Sequence, residues 1–320
     1  MYNSADFIHY SVIACSIITN SISVGIGQGL TSYAALNAIN RQPHARNDII
    51  RVALVGMTLI ETVAILALLV AILLLIDTST HHTYYSRLAE IGIACAISIT
   101  GFVVGLASCA PAQAACHAVT RQPLLSQKIF GLMLMTQVLI QTPIVSALIV
   151  SLFIQNQAMN TLFLSDSLRL IASGLCVGLG SIGPAIGLSI FSYAAIKGIG
   201  RNTQAYSKLL SFTFISEAII ETPIIFCLII AVVLLFVVPR PETDNLLEGI
   251  IFLAAGLCTG LGTLGTGISS GATGAAACTQ IADNPEAYSI LSRTSMLAQG
   301  IIETVIIYAV LLSFLMILFK

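Results

Sequence analysis

Charge is what this sequence has least of. Asp, Glu, Lys and Arg make up 8% of its 320 residues, whereas 57% are hydrophobic; soluble domains carry about 25% charged residues. The chain is therefore read as an integral membrane protein. Its net charge of −1 is no argument for nucleic acid. No basic tract supplies one, so nucleic acid is not an expected partner. No CxxC pair occurs among the eight cysteines, which removes the common zinc and dithiol patterns. Cys116 alone has a histidine beside it, His117, and a helix points adjacent side chains apart. The cysteines read as small apolar packing residues, and no metal or cofactor site is expected. Also missing is a Ser/His or paired-Asp arrangement in facing segments, which leaves an intramembrane enzyme the weakest reading. The start of the chain lacks the positive flank of a signal peptide, so its first apolar run is read as an uncleaved membrane helix.

Long apolar runs fill the rest. They cover residues 7–39 and 49–76, 87–119 and 128–155, 168–200 and 206–238, and 246–281 and 288–318. At a rise of about 1.5 Å per residue each can cross a hydrocarbon core of about 30 Å. Polar turns at 40–43, 121–123, 201–203 and 283–285 divide the pairs. The expected fold is all-α, with eight transmembrane helices as four tandem helical hairpins bounded at 1–80, 81–160, 161–242 and 243–320. The period is sharp. Arg41, Arg121 and Arg201 are 80 apart, and Pro43 to Pro285 is 242, so the last repeat has gained two residues. Such self-similarity marks an internal repeat.

One tetrad keeps the same register in every hairpin: Leu59-Ile60-Glu61-Thr62, Leu139-Ile140-Gln141-Thr142, Ile219-Ile220-Glu221-Thr222 and Ile301-Ile302-Glu303-Thr304. Glu61 is the one charge between Val52 and Ile76, and Pro43 to Glu61 and Pro285 to Glu303 are each 18 residues. Fixed distance from the turn means fixed depth, near the middle of the bilayer. An ionisable group there costs roughly 2.5–3.5 kcal/mol on insertion scales, which points to a function. Met57, Gln137, Glu217 and Gln299 lie four residues earlier, on the same helix face. Glu217 and Glu221 are thus neighbours, and both cannot ionise cheaply in lipid. Glu217 is read as a protonated hydrogen-bond partner, with a second carrier as the alternative. Pro143 and Pro223 follow the tetrad and are expected to bend their helices. Glu90 is placed near the membrane edge.

The first helix of each hairpin is rich in small residues, from Gly25, Gly27 and Gly29 in the first repeat to Gly256, Gly260 and Gly271 in the fourth. Association in lipid relies on close packing, which small residues permit. The expected arrangement is a ring, with the small-residue helices inside and the Leu- and Ile-rich helices outside. Nine of the 13 Lys and Arg fall at the hairpin turns; Arg87, Arg169, Arg240 and Lys320 fall at the links and the C-terminal end. The positive-inside rule puts the turns in the cytoplasm and both ends of the chain on the other side.

With these residues the hairpins resemble the c subunit, or proteolipid, of rotary ATP synthases. The likeness is strongest in the first hairpin: Gly25-Ile26-Gly27-Gln28-Gly29, Arg41-Gln42-Pro43, Asp48-Ile49-Ile50 and Glu61 together look like the F-type c subunit over residues 7–76. The whole chain looks like four such subunits fused, a habit of the V-type and archaeal proteolipids. The resemblance implies a membrane rotor, the c-ring, built with other copies of the chain and passing through membrane lipid. Each carboxylate, neutralised by a proton or a sodium ion, unloads and reloads at a stator a subunit that carries an essential Arg. A central stalk couples rotation to ATP synthesis or hydrolysis in a separate soluble head. The chain itself would be non-catalytic, with no cofactor besides the carried H+, or alternatively Na+. In a bacterium it would sit in the plasma membrane. Electrostatics agrees with this scheme: desolvation in lipid favours the neutral acid and a nearby guanidinium favours the carboxylate.

Carried over position by position, Glu61, Glu221 and Glu303 match the ion-carrying carboxylate. Gln141 holds the same place but cannot release a proton, so the second hairpin is expected to be silent. Thr62, Thr142, Thr222 and Thr304, together with Gln28, resemble the sodium-binding pattern. The positions matching Gln28 are Ser108, Leu188 and Ser270, however, and Leu188 cannot coordinate a cation. The threonines could simply bond a carbonyl one turn back. Tyr308 matches a family position that steadies the carboxyl, but Leu66, Ser146 and Phe226 stand at its equivalents. Protons are the expected cargo and sodium the alternative. From other classes, a self-contained transporter or channel would show inverted repeats or broken helices. A structural proteolipid would not need three carboxylates at one depth.

Overall fold

The computed structural model describes residues 4–76, 83–159, 161–237 and 246–319. The expected hairpin boundaries at residues 80, 160 and 242, and the charges Arg240 and Lys320, lie outside the described residues. Among those described, eight helices are long and apolar enough to cross a membrane: α1 (Asp6–Arg41), α2 (Pro43–Ile76), α3 (Tyr84–Arg121), α4 (Pro123–Ala158), α5 (Leu164–Arg201), α6 (Thr203–Phe236), α7 (Leu246–Asp283) and α8 (Pro285–Leu318). The protein is an all-α, multi-pass integral membrane protein. Helices suit it because each backbone polar group must find its partner inside the segment once water is gone.

The four hairpin turns share one geometry. The first helix ends, the next residue (Gln42, Gln122, Asn202 or Asn284) is extended, with φ between −134° and −139°, and a 3-10 turn opens the second helix. Proline forces extension on the residue before it and suits the first turn of a helix, where its missing N–H would have no partner anyway. The third hairpin has Thr203 instead. There the Asn202 side chain accepts a bond from the backbone N–H of Gln204 at 3.0 Å, so a hydrogen bond replaces the ring constraint.

α1, α3, α5 and α7 stand side by side in one row, and α2, α4, α6 and α8 in a second. Neighbours in sequence are neighbours in space. Glycine sets the close approach in the first row. A Cβ on Gly183 would overlap the carbonyl of Thr263, and one on Gly187 the carbonyl of Gly267; one on Gly267 or Gly271 would strike the backbone of Gly183 or Gly187 in turn. α3, α4 and α5 are each interrupted for one residue, at Ser108, Gln141 and Ser181. Each break lies two or three residues before a proline (Pro111, Pro143, Pro184), whose missing donor weakens the ladder. Pro223 lies inside an uninterrupted α-helical run, Tyr206–Phe236.

At the end away from the turns, α1 and α3 share a buried ion cluster. His9 Nδ1 lies 2.7 Å from Glu90 Oε2, and Arg87 Nη1 donates to Glu90 Oε1 at 2.6 Å. The sequence places Glu90 at the membrane edge without a partner. The available signal is the period: 9 + 80 = 89, so His9 faces the Glu90 region across the first-row interface. Glu90→Ala should cost about 3–5 kcal/mol, the usual penalty for stranding a buried charge. Thermal unfolding of the detergent-solubilised chain would report it, and an unchanged midpoint would show the cluster to be dispensable. One repeat on, the position matching His9 holds Arg169 (89 + 80 = 169). It donates to the carbonyls of Leu234 (2.8 Å) and Leu235, satisfying the open carbonyls at the end of α6.

Candidate functional site

The four tetrads lie in the second row. Gln141 shows how a tetrad meets the hairpin before it. Its Nε2 donates to the carbonyl of Leu59 at 2.5 Å, and its Oε1 accepts from Thr62 Oγ1 at 3.0 Å. The amide thus clips α4 to α2 directly beside Glu61. One turn nearer the hairpin turn, Gln137 donates to the carbonyl of Gly56 at 2.8 Å. Between α6 and α8 the matching Gln299 is bonded to Ser216 at 2.8–3.0 Å and donates to Ser295 at 3.0 Å. In these contacts the polar face of one hairpin looks at the hairpin before it.

Glu61 begins the row, has no preceding hairpin within the chain, and is exposed; Glu221 and Glu303 are half-buried. Glu303 Oε1 is enclosed and has no hydrogen-bond partner among the described residues. Glu217, one turn from Glu221, is 0% exposed, and neither of its oxygens has a hydrogen-bond partner among the described residues. In this environment the neutral acid is far cheaper than the carboxylate.

The residues singled out as support do not gather round one carboxylate. All four tetrad threonines donate back along their own helices: Thr62 to Leu59 at 2.7 Å, Thr142 to Leu139 at 2.9 Å, Thr222 to Ala218 at 3.0 Å and Thr304 to Ile301 at 2.7 Å. This is the ordinary habit of a helical threonine. Gln28 Nε2 donates to the carbonyl of Met57 at 3.2 Å, one turn short of Glu61. Leu188, in the matching place, is buried. Tyr308 is 68% exposed, on the free side of α8. Sequence reasoning misses the interlocking of Gln141 with Thr62, although the 79-residue separation, one short of the period, carries the signal.

Residues 12–74, 171–234 and 253–316 match the family of the ATP synthase C subunit. These ranges contain Glu61, Glu221 and Glu303; Gln141 lies outside them. Over 73 residues the chain is 41% identical to the ATP synthase c subunit of Dehalococcoides mccartyi, a match covering 23% of this chain and 96% of that protein. Over 66 residues it is 41% identical to the ATP synthase c subunit of Chloroflexus aurantiacus, covering 21% and 87%. Over 76 residues it is 37% identical to that of Prochlorococcus marinus, covering 24% and 94%. A stretch about one hairpin long thus matches nearly the whole of each relative. The three family ranges together span more than half of this sequence, and the chain belongs to the ATP synthase C-subunit family.

Proposed function

We propose that the chain is the rotor proteolipid of a proton-driven rotary ATP synthase or ATPase, with Glu61, Glu221 and Glu303 as proton carriers and Gln141 as a silent station. The observation that carries this reading is the recurrence of one acid or amide per hairpin at a fixed register along the second row. Each of the units 1–80, 81–160, 161–242 and 243–320 is read as one c-type hairpin, nearest in pattern to the F-type and fused in the V-type manner. The turns face the cytoplasm, where a central stalk would dock, and a stator a subunit with its Arg would meet the second row. Protons are favoured over sodium because the tetrad threonines and Gln28 spend their bonds on backbone carbonyls, not on a cation shell.

The two edges of the chain support assembly with other copies. Gly25 and Gly29 match Gly267 and Gly271 (25 + 242, 29 + 242), the glycines that pack on the third hairpin. A Cβ on Gly25 or Gly29 would meet nothing within 4 Å. At the other edge Gly265 matches Gly183 (183 + 82) and is equally open. The first edge therefore repeats the surface that hairpin four shows to hairpin three, and the last edge repeats the reciprocal surface. Head-to-tail contacts of this kind close into rings, and the next copy would supply the neighbour that Glu61 lacks.

Carbodiimide labelling tests the site. Glu61, Glu221 and Glu303 should be modified, the second hairpin should contribute nothing, and sodium should give no protection. Protection by sodium would reassign the cargo, and labelling that depends on the second hairpin would end the silent-station reading. The purified chain should run as a large detergent-stable ring; a monomer that still moves solute would replace the rotor by a self-contained transporter.

A further inference from the structure

We propose that the first row binds the phosphate headgroup of an anionic phospholipid at its turn end, in a cleft among α1, α3 and α5. The cleft has a volume of about 380 Å³, and its lining includes Arg41 from α1, Ala114, His117 and Arg121 from α3, and Tyr193 and Lys197 from α5. Every lining residue belongs to the first row, so the cleft is separate from the tetrads on the second. Three permanent cations and a histidine converge there, and no carboxylate lines it. Among the described residues, Arg41, Arg121 and Lys197 form no ion pair. Lys197 Nζ lies 5.4 Å from the centre of the Tyr193 ring.

The repeat explains how the charges meet. Arg41 and Arg121 are equivalents, as are His117 and Lys197 (each pair 80 apart), so adjacent helices deliver the same helix position to one place. The next groove along the row is different. It is lined by Lys197 and Arg201, but Arg201 pairs with Asp283 at 3.4 Å, and the residue matching Lys197 on α7 is Thr279 (197 + 82). Positive charge in excess is therefore particular to hairpins one to three and is not a general property of the turns.

Like charges held together at low dielectric repel strongly unless an anion sits among them. The depth selects the anion. The cleft opens at the helix ends, where headgroups lie, and basic pockets between membrane helices on the cytoplasmic side take anionic headgroups. Ala114 and Ala118 form an apolar wall suited to a glycerol and acyl stem, which free phosphate lacks. An acidic protein segment would satisfy the charge but has no need of that wall.

The chain, purified and placed in phosphatidylcholine nanodiscs, would be titrated with fluorescent phosphatidylglycerol. Wild type should bind it saturably. Arg41→Gln/Arg121→Gln/Lys197→Gln should bind roughly 100-fold more weakly, from the loss of three cations near a headgroup. Arg46→Gln/Arg51→Gln/Arg293→Gln, an equal change of charge outside the cleft, should bind as wild type. Excess inorganic phosphate should not compete. Equal binding by the cleft variant, an equal loss in the control variant, displacement by inorganic phosphate, or displacement by an acidic peptide at the same concentration would each overturn the proposal. Organic phosphorus retained by the purified wild-type chain gives a check that needs no variant: none retained after mild detergent extraction would also overturn it.

Discussion

Glu221→Gln should stop proton pumping, while Glu303→Gln should only slow it. The order along the second row is Glu61, Gln141, Glu221, Glu303, followed by Glu61 of the next copy. Glu221→Gln sets two amides side by side, and so does Glu61→Gln. Glu303→Gln leaves each amide between two acids. On the rotor reading the stator guanidinium passes from one carboxylate to the next. A double gap leaves it facing a low-dielectric surface with no anion in reach. Stranding a buried charge costs about 3–5 kcal/mol, so the step should slow by roughly 100- to 1,000-fold. ATP-driven proton uptake into vesicles containing the complete complex would rank the three variants. An equal loss in all three would remove the argument from a silent station, because adjacency to Gln141 would then not matter.

Gly25→Leu/Gly29→Leu should leave the four-hairpin chain folded and prevent it from closing into a ring. Neither glycine touches anything within the chain, so the substitution costs little there. Their equivalents Gly267 and Gly271 meet backbone directly, and a side chain at such a contact must push two helices apart. Overpacking of this kind costs about 1–3 kcal/mol per site, and every interface between copies would carry two such sites. The mass of the detergent-solubilised particle should fall from that of an oligomer to that of one chain. Gly131→Leu, also in open space but on α4 away from both edges, should leave the oligomer intact. A ring that survived the double substitution would show that copies do not meet through the first-row edges.

The architecture is largely legible in the sequence because lipid leaves the chain few options. A run of apolar residues must be helical, a polar turn with proline must reverse it, and a fixed count from Pro43 to Glu61 or Pro285 to Glu303 must set one depth. What the sequence hides is direction. Gln28 can be counted to the level of Met57 and Glu61, but only the rotation of α1 against α2 decides which of the two it reaches. Gln141 reads in the sequence as a carboxylate lost; in the folded chain it is also a clip between hairpins, made by facing helices whose vertical offset no single repeat reveals. The buried cluster of His9, Arg87 and Glu90 escapes sequence reading for the same reason. Its members occupy different positions within their repeats and meet only across an interface. Pro111 and Pro184 break the first-row helices at Ser108 and Ser181, a local effect that the apolar runs around them conceal.

Because consecutive hairpins sit side by side in chain order, peptide bonds fix the sequence of unlike stations around any ring these chains build. Separate single-hairpin subunits would scatter an amide station at random, and each assembled machine would differ from the next. Here the irregularity has a definite phase. Rotation at constant load should carry a beat with a period of four hairpins, one stride in each period being twice as long as the others, and every molecule in a population should show the same rhythm.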